Sequence, residues 1–223
     1  MRTLVALILG SLSILAEDSD QVKRLQQAAT AFSEIMEAPD KGIPLDLIER
    51  SRCIVIVPGL KKGAFVFGAQ YGKGFLSCRT RTGDWSAPGS VRVEGGSFGF
   101  QAGGLASDVI LLVMNERGAD KLLSSQFTLG GQTEFAAGPI GRSATAQTDA
   151  LMRAEILSWS RARGVFAGLS LQGGTLRQDL DDNEELYGKR LQNRAIVTEG
   201  VAAPPAAEPL LKLLRAYPFR KPA

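Results

Sequence analysis

Apolar residues near the start of the chain recur at alternating steps of three and four. The positions are Val22, Leu25, Ala29, Phe32 and Met36. This spacing places them on one side of a helix, and it predicts an amphipathic helix from Gln21 that ends before Pro39. The stretch "PLDLIERS" predicts a second short helix with Pro44 in its first turn.

From Cys53 onward the pattern changes to the short apolar runs and alternation that are typical of β-strands. The run "CIVIVPG" predicts a buried strand followed by a turn at Pro58-Gly59. The stretch "GAFVFGAQYGKGFLSCRTRTGDW" alternates on both sides of Gly72-Lys73-Gly74, which predicts a hairpin that turns there. Two further strands are predicted in "SVRVEGGSFGFQAGG" and "SDVILLVMN", and "ERGADKLLSS" predicts a short helix after them.

The second half of the chain repeats this organisation. Extended segments are predicted in "GQTEFAAG", "GRSATAQTD" and "RAEILSWSRARGVFAGLSLQGG", the last a hairpin that turns at Arg161 to Gly164. The stretch "LDDNEELYGKRL" predicts a short helix or capped loop, and a proline-rich connector leads to a last helix in "EPLLKLLRAY". About ten short strands between terminal helices predict an α+β fold with a large curled, mainly antiparallel sheet or partial barrel. A doubly wound parallel sheet is not favoured, because its crossover helices are missing.

The first residues have the layout of a secretory signal peptide. A basic Arg2, an apolar run from Leu4 to Leu15 and a small Ala16 precede an acidic pair. We therefore expect a signal peptide at residues 1–16, export to the periplasm or the medium, and one domain at residues 17–223. The alternatives are an interfacial anchor and a buried first helix.

Histidine is absent from all 223 residues, which excludes Ser-His-Asp and Cys-His catalysis. The stretch "GGSFG" from Gly95 to Gly99 matches the G-x-S-x-G of a hydrolase elbow, but Ser97 has no histidine partner. The nucleotide-binding patterns G-x-x-x-x-G-K-[ST] and G-x-G-x-x-G do not occur in the sequence. Asp179, Asp181 and Asn183 match only the first half of a calcium loop, so a solvated acidic helix start is the favoured interpretation. We predict no enzyme, no cofactor and no metal site, with a serine hydrolase at Ser97 as a remote alternative.

The pattern F-G-x-Q-x-G occurs twice, as "FGAQYG" from Phe67 to Gly72 and as "FGFQAG" from Phe98 to Gly103. On a strand, each copy has one aromatic face and one face of glycine and glutamine. Such a glycine face indicates that a packed neighbour or a ligand approaches closely, and a packed neighbour is favoured.

The formal net charge of +3 suits an anionic surface such as phospholipid headgroups, whereas no nucleic-acid motif is present. Basic residues cluster near the predicted turns. They form one headgroup site if these turns share an end of the sheet, and ordinary solvated charge if they do not. Cys53 and Cys78 are the two cysteines of the chain, and they either pair or stay as buried free thiols.

Several of these motifs, taken in their order, resemble the SYLF domain family. They are "PDKGIPLDLIERSRCIVIVPGLKKGAFVFGAQYGKGFLSCRT", "GDWSAPGSVRVEGGSFGFQAGG", "AAGPIGR", "SWSRARGVFAGLSLQGG" and "NEELYGK". The resemblance covers roughly Val22 to Leu214. It implies a non-enzymatic domain that binds acidic phospholipids at a membrane surface. The phosphoinositide specificity and actin binding of eukaryotic members are not expected of a chain with an export signal.

Charge and position select the candidate lipid-binding residues. The first choice is Lys61, Lys62, Lys73, Arg79 and Arg81, and the second is Arg142, Arg161 and Arg163. The main alternative to lipid binding is a structural or interaction scaffold that packs against a partner chain through its glycine-rich strand faces.

Overall fold

The computed structural model describes a large part of the chain. The described residues are 19–38, 42–64, 68–97, 105–124, 126–129, 135–138, 154–162, 165–167 and 174–219. The predicted signal peptide at residues 1–16, the second glycine motif from Phe98 to Gly103, the predicted strand at residues 141–149, and the candidates Arg142 and Arg163 lie outside these residues.

The described strands form one curled, mainly antiparallel sheet. They are β1 Cys53–Ala64, β2 Gly68–Cys78, β3 Gly89–Ser97, β4 Leu105–Val113, β5 Gln126–Thr128, β6 Phe135–Ala137, β7 Ile156–Ala162, β8 Val165–Ala167 and β9 Gly174–Gln178. The order across the sheet is β5-β9-β3-β2-β1-β4-β7-β6, and β8 pairs with β7. The α+β class and the curled sheet are confirmed, but the described residues contain nine strands, so the count of about ten is not supported.

The first half of the chain forms the centre of the sheet, and the second half adds strands on both sides of it. Strands β3, β2, β1 and β4 form the centre of the sheet, and each pairs antiparallel with its neighbour. The second half adds β7 beside β4 and β9 beside β3. The pair β6–β7 is parallel, and β7 and β8 pair antiparallel around the predicted hairpin turn.

Most of the helices lie at the two ends of the described chain, and one, α3, lies between β4 and β5. They are α1 Asp20–Glu37, α2 Leu45–Arg50, α3 Glu116–Leu122, α4 Leu180–Tyr187, α5 Asn193–Thr198 and α6 Glu208–Arg215, with a 3-10 turn at Pro205–Ala207. The Ser19 side chain caps α1 by accepting a hydrogen bond from the Val22 backbone N–H. Leu25, Phe32 and Met36 are buried along one stripe of α1, as the periodicity predicted. No helix in the described ranges is both long and apolar enough to cross a bilayer.

The sheet carries an apolar core on each face, because side chains alternate along its strands. Ile54 and Ile56 of β1 pack on one face with α1, α2 and α6. Val55 and Val57 pack on the other face, where α3 and α5 contribute apolar residues.

Strand β1 does not end at Pro58-Gly59, and the predicted turn there is wrong. The register with β2 and with β4 shifts by one residue between Ile56 and Lys61, so β1 continues through a β-bulge. Gly59 has φ of 59°, and its N–H donates to Asp108 Oδ1 at 2.9 Å. A proline and a left-handed glycine therefore mark a bend inside a strand, where local rules indicate a turn.

The predicted hairpin turn at Gly72-Lys73-Gly74 is also wrong, since these residues lie within β2. A Cβ atom at Gly72 would lie 2.8 Å from Leu60 Cδ1, and one at Gly74 would lie 2.0 Å from the Ile56 carbonyl oxygen. The glycines of β2 thus make room for the bulged strand β1. At these two positions the close neighbour is the protein itself, as the glycine pattern favoured.

A disulfide joins Cys53 and Cys78, which are directly opposite each other on β1 and β2. We expect no free thiol in the unfolded protein without reductant and two with it, measured by thiol titration. Because the bridge spans 25 residues, its reduction should lower the free energy of unfolding by about 3 kcal/mol. Two thiols that react without reductant would contradict the pairing.

Candidate functional site

The candidate basic residues do not share one end of the sheet. Lys62 is paired with Gln70 near the start of β2, whereas Arg79 and Arg81 directly follow the end of β2 at Cys78. Eight residues of strand separate the two ends, which is about 26 Å. One lipid headgroup cannot contact both groups, so the predicted residues divide into separate surfaces.

Lys73 is engaged in ion pairs inside the protein. Its Nζ atom lies 2.8 Å from Asp182 Oδ1 and 3.0 Å from Asp179 Oδ2. Arg24 of α1 binds the other oxygen of Asp182 at 2.9 Å. These contacts tie α1 and α4 to the sheet and leave Lys73 poorly placed to receive an external anion.

Arg161 is also held by carboxylates. It forms ion pairs with Asp108, at 3.1 Å, and with Glu34 of α1. Asp108 is its direct partner across β4 and β7. Arg161 therefore links the sheet to α1, and its charge is compensated within the fold.

Arg79 has a different environment, because its neighbours are aromatic rings and carbonyl groups. Its guanidinium lies over the Trp85 ring, 3.9 Å from the centroid, and 5.7 Å from the centroid of Phe219. It donates hydrogen bonds to the Gly83 carbonyl at 3.1 Å and the Tyr217 carbonyl at 2.6 Å. Stacking on Trp85 orients the charge at this end of β2.

The charge of Arg79 is incompletely compensated. Burial lowers its pKa from 12.5 to about 10, in spite of the nearby carboxylates of Asp84 and Glu49. Its Nε atom is buried and has no hydrogen-bond partner in the part of the chain that the structure describes. The guanidinium is still positive at neutral pH, so an anion that approached it would gain electrostatic energy.

Two adjoining cavities of about 590 and 550 Å³ open beside Arg79, and we call them together the arginine cleft. Both are lined by Arg79, Arg81, Thr82 and Arg215. Arg81 is exposed and has no ion pair with any described residue. Arg215 binds Asp84 at 3.3 Å and Glu208 at 2.9 Å.

The larger cavity of the arginine cleft also has an apolar lining. It comes from Trp85, Ile196, Val197, Val201, Ala203 and Leu211. Trp85 is fixed there because its Nε1–H donates to the Leu214 carbonyl of α6 at 3.0 Å. The cleft thus combines cationic groups at its rim with apolar side chains, an arrangement that suits an anionic amphiphile.

Sequence reasoning found Arg79 and Arg81 but missed Arg215 and the lining from α5. The short helix α5, Asn193–Thr198, carries little periodic signal, and only the tertiary fold brings α5 and α6 to the end of β2. The connector motif "GVAAPP" contributes Val201 and Ala203 to the lining.

The other candidate motifs have structural roles. Asp179 caps α4 by accepting from the Asp182 N–H, so the partial calcium motif is the acidic start of a helix. The predicted solvation of this helix start is wrong, because Asp179, Asp182 and Asn183 are buried. The stretch from Gly95 to Ser97 is the end of β3 and pairs with β2, and the rest of the G-x-S-x-G match lies outside the described residues.

The motif "NEELYGK" locks α4 onto the start of β3. Asn183 is fully buried, accepts from the Ser90 N–H at 2.7 Å and donates to Asn193 Oδ1 at 2.7 Å. Tyr187 donates to the Pro88 carbonyl at 2.6 Å, and Gly188 ends the helix with φ of 67°. These hydrogen bonds stabilise the fold and do not line the arginine cleft.

The fold and the cleft define an α+β protein with one curled sheet and a cationic, partly apolar cleft at one end of it. A family model for Ysc84, described as "Las17-binding protein actin regulator", matches residues 94–217. The chain belongs to this Ysc84 family, the SYLF domain family that the sequence motifs resembled.

Three relatives illustrate the match. Protein YSC84 of Saccharomyces cerevisiae is 32% identical over 185 residues, which are 81% of this chain and 39% of that protein. LAS seventeen-binding protein 3 of the same yeast is 33% identical over 187 residues, 81% of this chain and 40% of that protein. The human SH3 domain-containing YSC84-like protein 1 is 28% identical over 200 residues, 88% of this chain and 58% of that protein. The chain thus matches about two fifths of each yeast relative.

Proposed function

We propose that the protein binds anionic phospholipid at a membrane surface through the arginine cleft. The observation that carries this proposal is the position of Arg79 beside Arg81 at the rim of an apolar cavity, where neither side chain forms an ion pair with a carboxylate of the described residues. In this arrangement the two guanidinium groups contact the headgroup, and Val201 and Leu211 contact the adjoining apolar part of the lipid.

The test is co-sedimentation with vesicles that contain or lack an anionic phospholipid. Each basic residue near the surface adds about 1 kcal/mol of attraction. Because Arg81→Glu changes the charge by two units, it should weaken the vesicle partition coefficient about thirtyfold. Binding should also weaken as salt rises, because the Debye length shortens.

Two matched controls make the same change of charge at other exposed sites. Lys189→Glu lies in the loop after α4, and Lys61→Glu lies at the opposite end of the β1–β2 pair. Both should bind vesicles nearly as well as the wild type. If Lys61→Glu abolishes binding and Arg81→Glu does not, the cleft is the wrong site. Binding that ignores headgroup charge and salt would reject the electrostatic mechanism.

We also propose that this binding domain is exported and is not an enzyme. The absence of histidine and the strand conformation at Ser97 support a non-catalytic role. The amino-terminal apolar run supports export, which cell fractionation and amino-terminal sequencing of the mature protein would test.

A protein-binding role is the second candidate, and the names of the yeast relatives favour it. One of them is called a LAS seventeen-binding protein. The glycine faces are a poor surface for such a partner at Gly72 and Gly74, since β1 already fills that space. A stable oligomer or complex that is indifferent to lipid, seen by light scattering, would favour this role over lipid binding.

A further inference from the structure

A second polar surface lies at the other end of the sheet, on the face opposite α1. Lys62, Gln70, Gly95 and Gly174 are direct partners across β1, β2, β3 and β9. Residues in such a row share one face of the sheet. The neighbouring row contains Val93 and the buried Leu176, so the row of Lys62 and Gln70 forms the polar rim of an apolar core.

Gln70 is the unusual member of this row. Its side chain is only 2% exposed, yet neither its Nε2 nor its Oε1 has a hydrogen-bond partner among the described residues. A buried amide without partners costs free energy, because it has lost its hydrogen bonds to water. Strand pairing does not require an amide here, and the unpartnered polar atoms suit a ligand that donates to one and accepts from the other.

Lys62 lies beside Gln70 and is also unpaired. Directly opposite residues have Cβ atoms about 5 Å apart, so the ammonium and the amide can reach one small group. Lys62 is partly buried and has no ion pair with any residue in the described ranges. Burial lowers its pKa, and no nearby carboxylate opposes this effect.

The rest of the row is partly open to solvent. Gly95 and its neighbour Gly96 are accessible and carry no side chains, whereas Gly174 is buried. A ligand would therefore approach Gln70 from the side of Lys62 and Gly95, where glycine leaves the backbone bare.

We propose that Lys62 and Gln70 bind a phosphate group that carries a hydroxyl, as free hydrogen phosphate or as a phosphate monoester headgroup. The ammonium and the Gln70 NH₂ donate to the anionic oxygens, and the phosphate hydroxyl donates to Gln70 Oε1. This anion site is separate from the arginine cleft, because about 26 Å of strand lies between them.

The test measures phosphate binding and thermal stability in the full-length protein. Gln70→Met keeps the length of the side chain and removes both polar atoms, so it should raise the melting temperature without ligand and weaken phosphate binding about tenfold. Lys62→Met should weaken phosphate binding at least as much. Titration calorimetry with inorganic phosphate, at constant ionic strength, measures the affinity.

Lys61→Met is the matched control, since the exposed Lys61 is on the opposite face of β1 and the change removes the same charge. It should bind phosphate like the wild type. A second series uses phosphatidylcholine vesicles with and without phosphatidic acid. If Lys62→Met and Gln70→Met weaken the binding of inorganic phosphate alone, the ligand is a free anion. If they weaken binding only to the vesicles with phosphatidic acid, the ligand is a lipid headgroup.

Three results would overturn the site. They are a wild type that binds neither probe, variants at Lys62 and Gln70 that bind both probes normally, and a Gln70→Met protein that is less stable than the wild type. Effects of Lys62→Met and Arg81→Glu on vesicle binding should add, because distant sites act independently. If Lys62→Met weakens vesicle binding and Arg81→Glu does not, the site at Lys62 and Gln70 is supported and the proposed function of the arginine cleft is rejected.

Discussion

Gly74→Ala should lower the free energy of unfolding by about 3 kcal/mol or more, a large effect for a single methyl group. The added Cβ would lie 2.0 Å from the Ile56 carbonyl oxygen and 2.8 Å from the Val57 Cα atom. Both contacts are with backbone, so no side-chain rotation can relieve them. The β1 bulge would have to move away and lose hydrogen bonds to β2 and β4. Urea unfolding followed by circular dichroism measures the change.

Gly63→Ala is the control for this effect. Gly63 lies in β1 of the same sheet, and a Cβ there would meet nothing within 4 Å. Its substitution should leave the stability nearly unchanged or raise it slightly, since alanine restricts the unfolded chain. If Gly74→Ala unfolds at the same urea concentration as Gly63→Ala, the close approach of β1 to β2 is wrong.

Lys73→Met should lower the free energy of unfolding by about 2 to 4 kcal/mol at neutral pH. The change leaves Asp179 and Asp182 without their shared ammonium, although the Asp179 side chain is only 3% exposed. The lower end of the range reflects the 25% exposure of the Lys73 side chain, which lets water screen the interaction. Lys189→Met, at an exposed residue, should have little effect.

The pH dependence identifies the cause of this loss. Burial alone would raise the pKa of Asp179, but hydrogen bonds from Lys73 and the Asp182 N–H outweigh it and hold the pKa below its usual 3.8. A depressed carboxyl pKa gives stability that is present above pH 4 and is lost as pH falls through the folded-state value. Burial lowers the pKa of Lys73, and its hydrogen bonds to Asp182 and Asp179 raise it above 10.5, so its share is lost only at strongly alkaline pH.

In Lys73→Met the Asp179 carboxyl group binds a proton more readily than in the wild type, because it has lost its hydrogen bond from Lys73. The difference in stability between the two proteins should therefore shrink as pH falls from 7 towards 4. Adding Asp179→Asn to Lys73→Met should restore part of the loss at neutral pH, because it removes a buried charge that only Arg92 of the described basic residues, at 3.8 Å, still compensates. A deficit that is the same at every pH, with no rescue by Asp179→Asn, would reject the ion-pair explanation.

Local sequence signals predicted some elements well, and others failed for identifiable reasons. The helix α1 was predicted from its stripe and from Pro39, because both signals act within a few residues of the helix. The turns at Pro58-Gly59 and Gly72-Gly74 were wrong because these residues form a bulge and the space for it, and only the pairing of β1 with β2 reveals this. The strands β5 and β9 and the helix α5 were missed because they have three to six residues.

For the candidate site, too, local signals were sufficient for some residues and long-range contacts were needed for others. Positive charge near the end of a predicted strand was enough to select Arg79 and Arg81. The sequence does not reveal that Asp179 and Asp182, more than 100 residues away, bind Lys73, or that Arg215 joins the cleft from α6. The sequence therefore identified basic residues as the candidates, and long-range contacts decided which of them are free to bind an external anion.

The strand order also bears on where an expression fragment can begin. The family model matches from residue 94, which lies inside β3, so β1 and β2 precede the matched segment. In the sheet these two strands lie between β3 and β4, and of the described strands they are the ones that connect the β9–β3 pair to the β4–β7 pair. A fragment cut at the boundaries of the match would consist of two groups of strands, β5-β9-β3 and β4-β7-β6 with β8, and would lack the central strands that join them. We therefore expect a fragment of residues 94–217 not to fold alone.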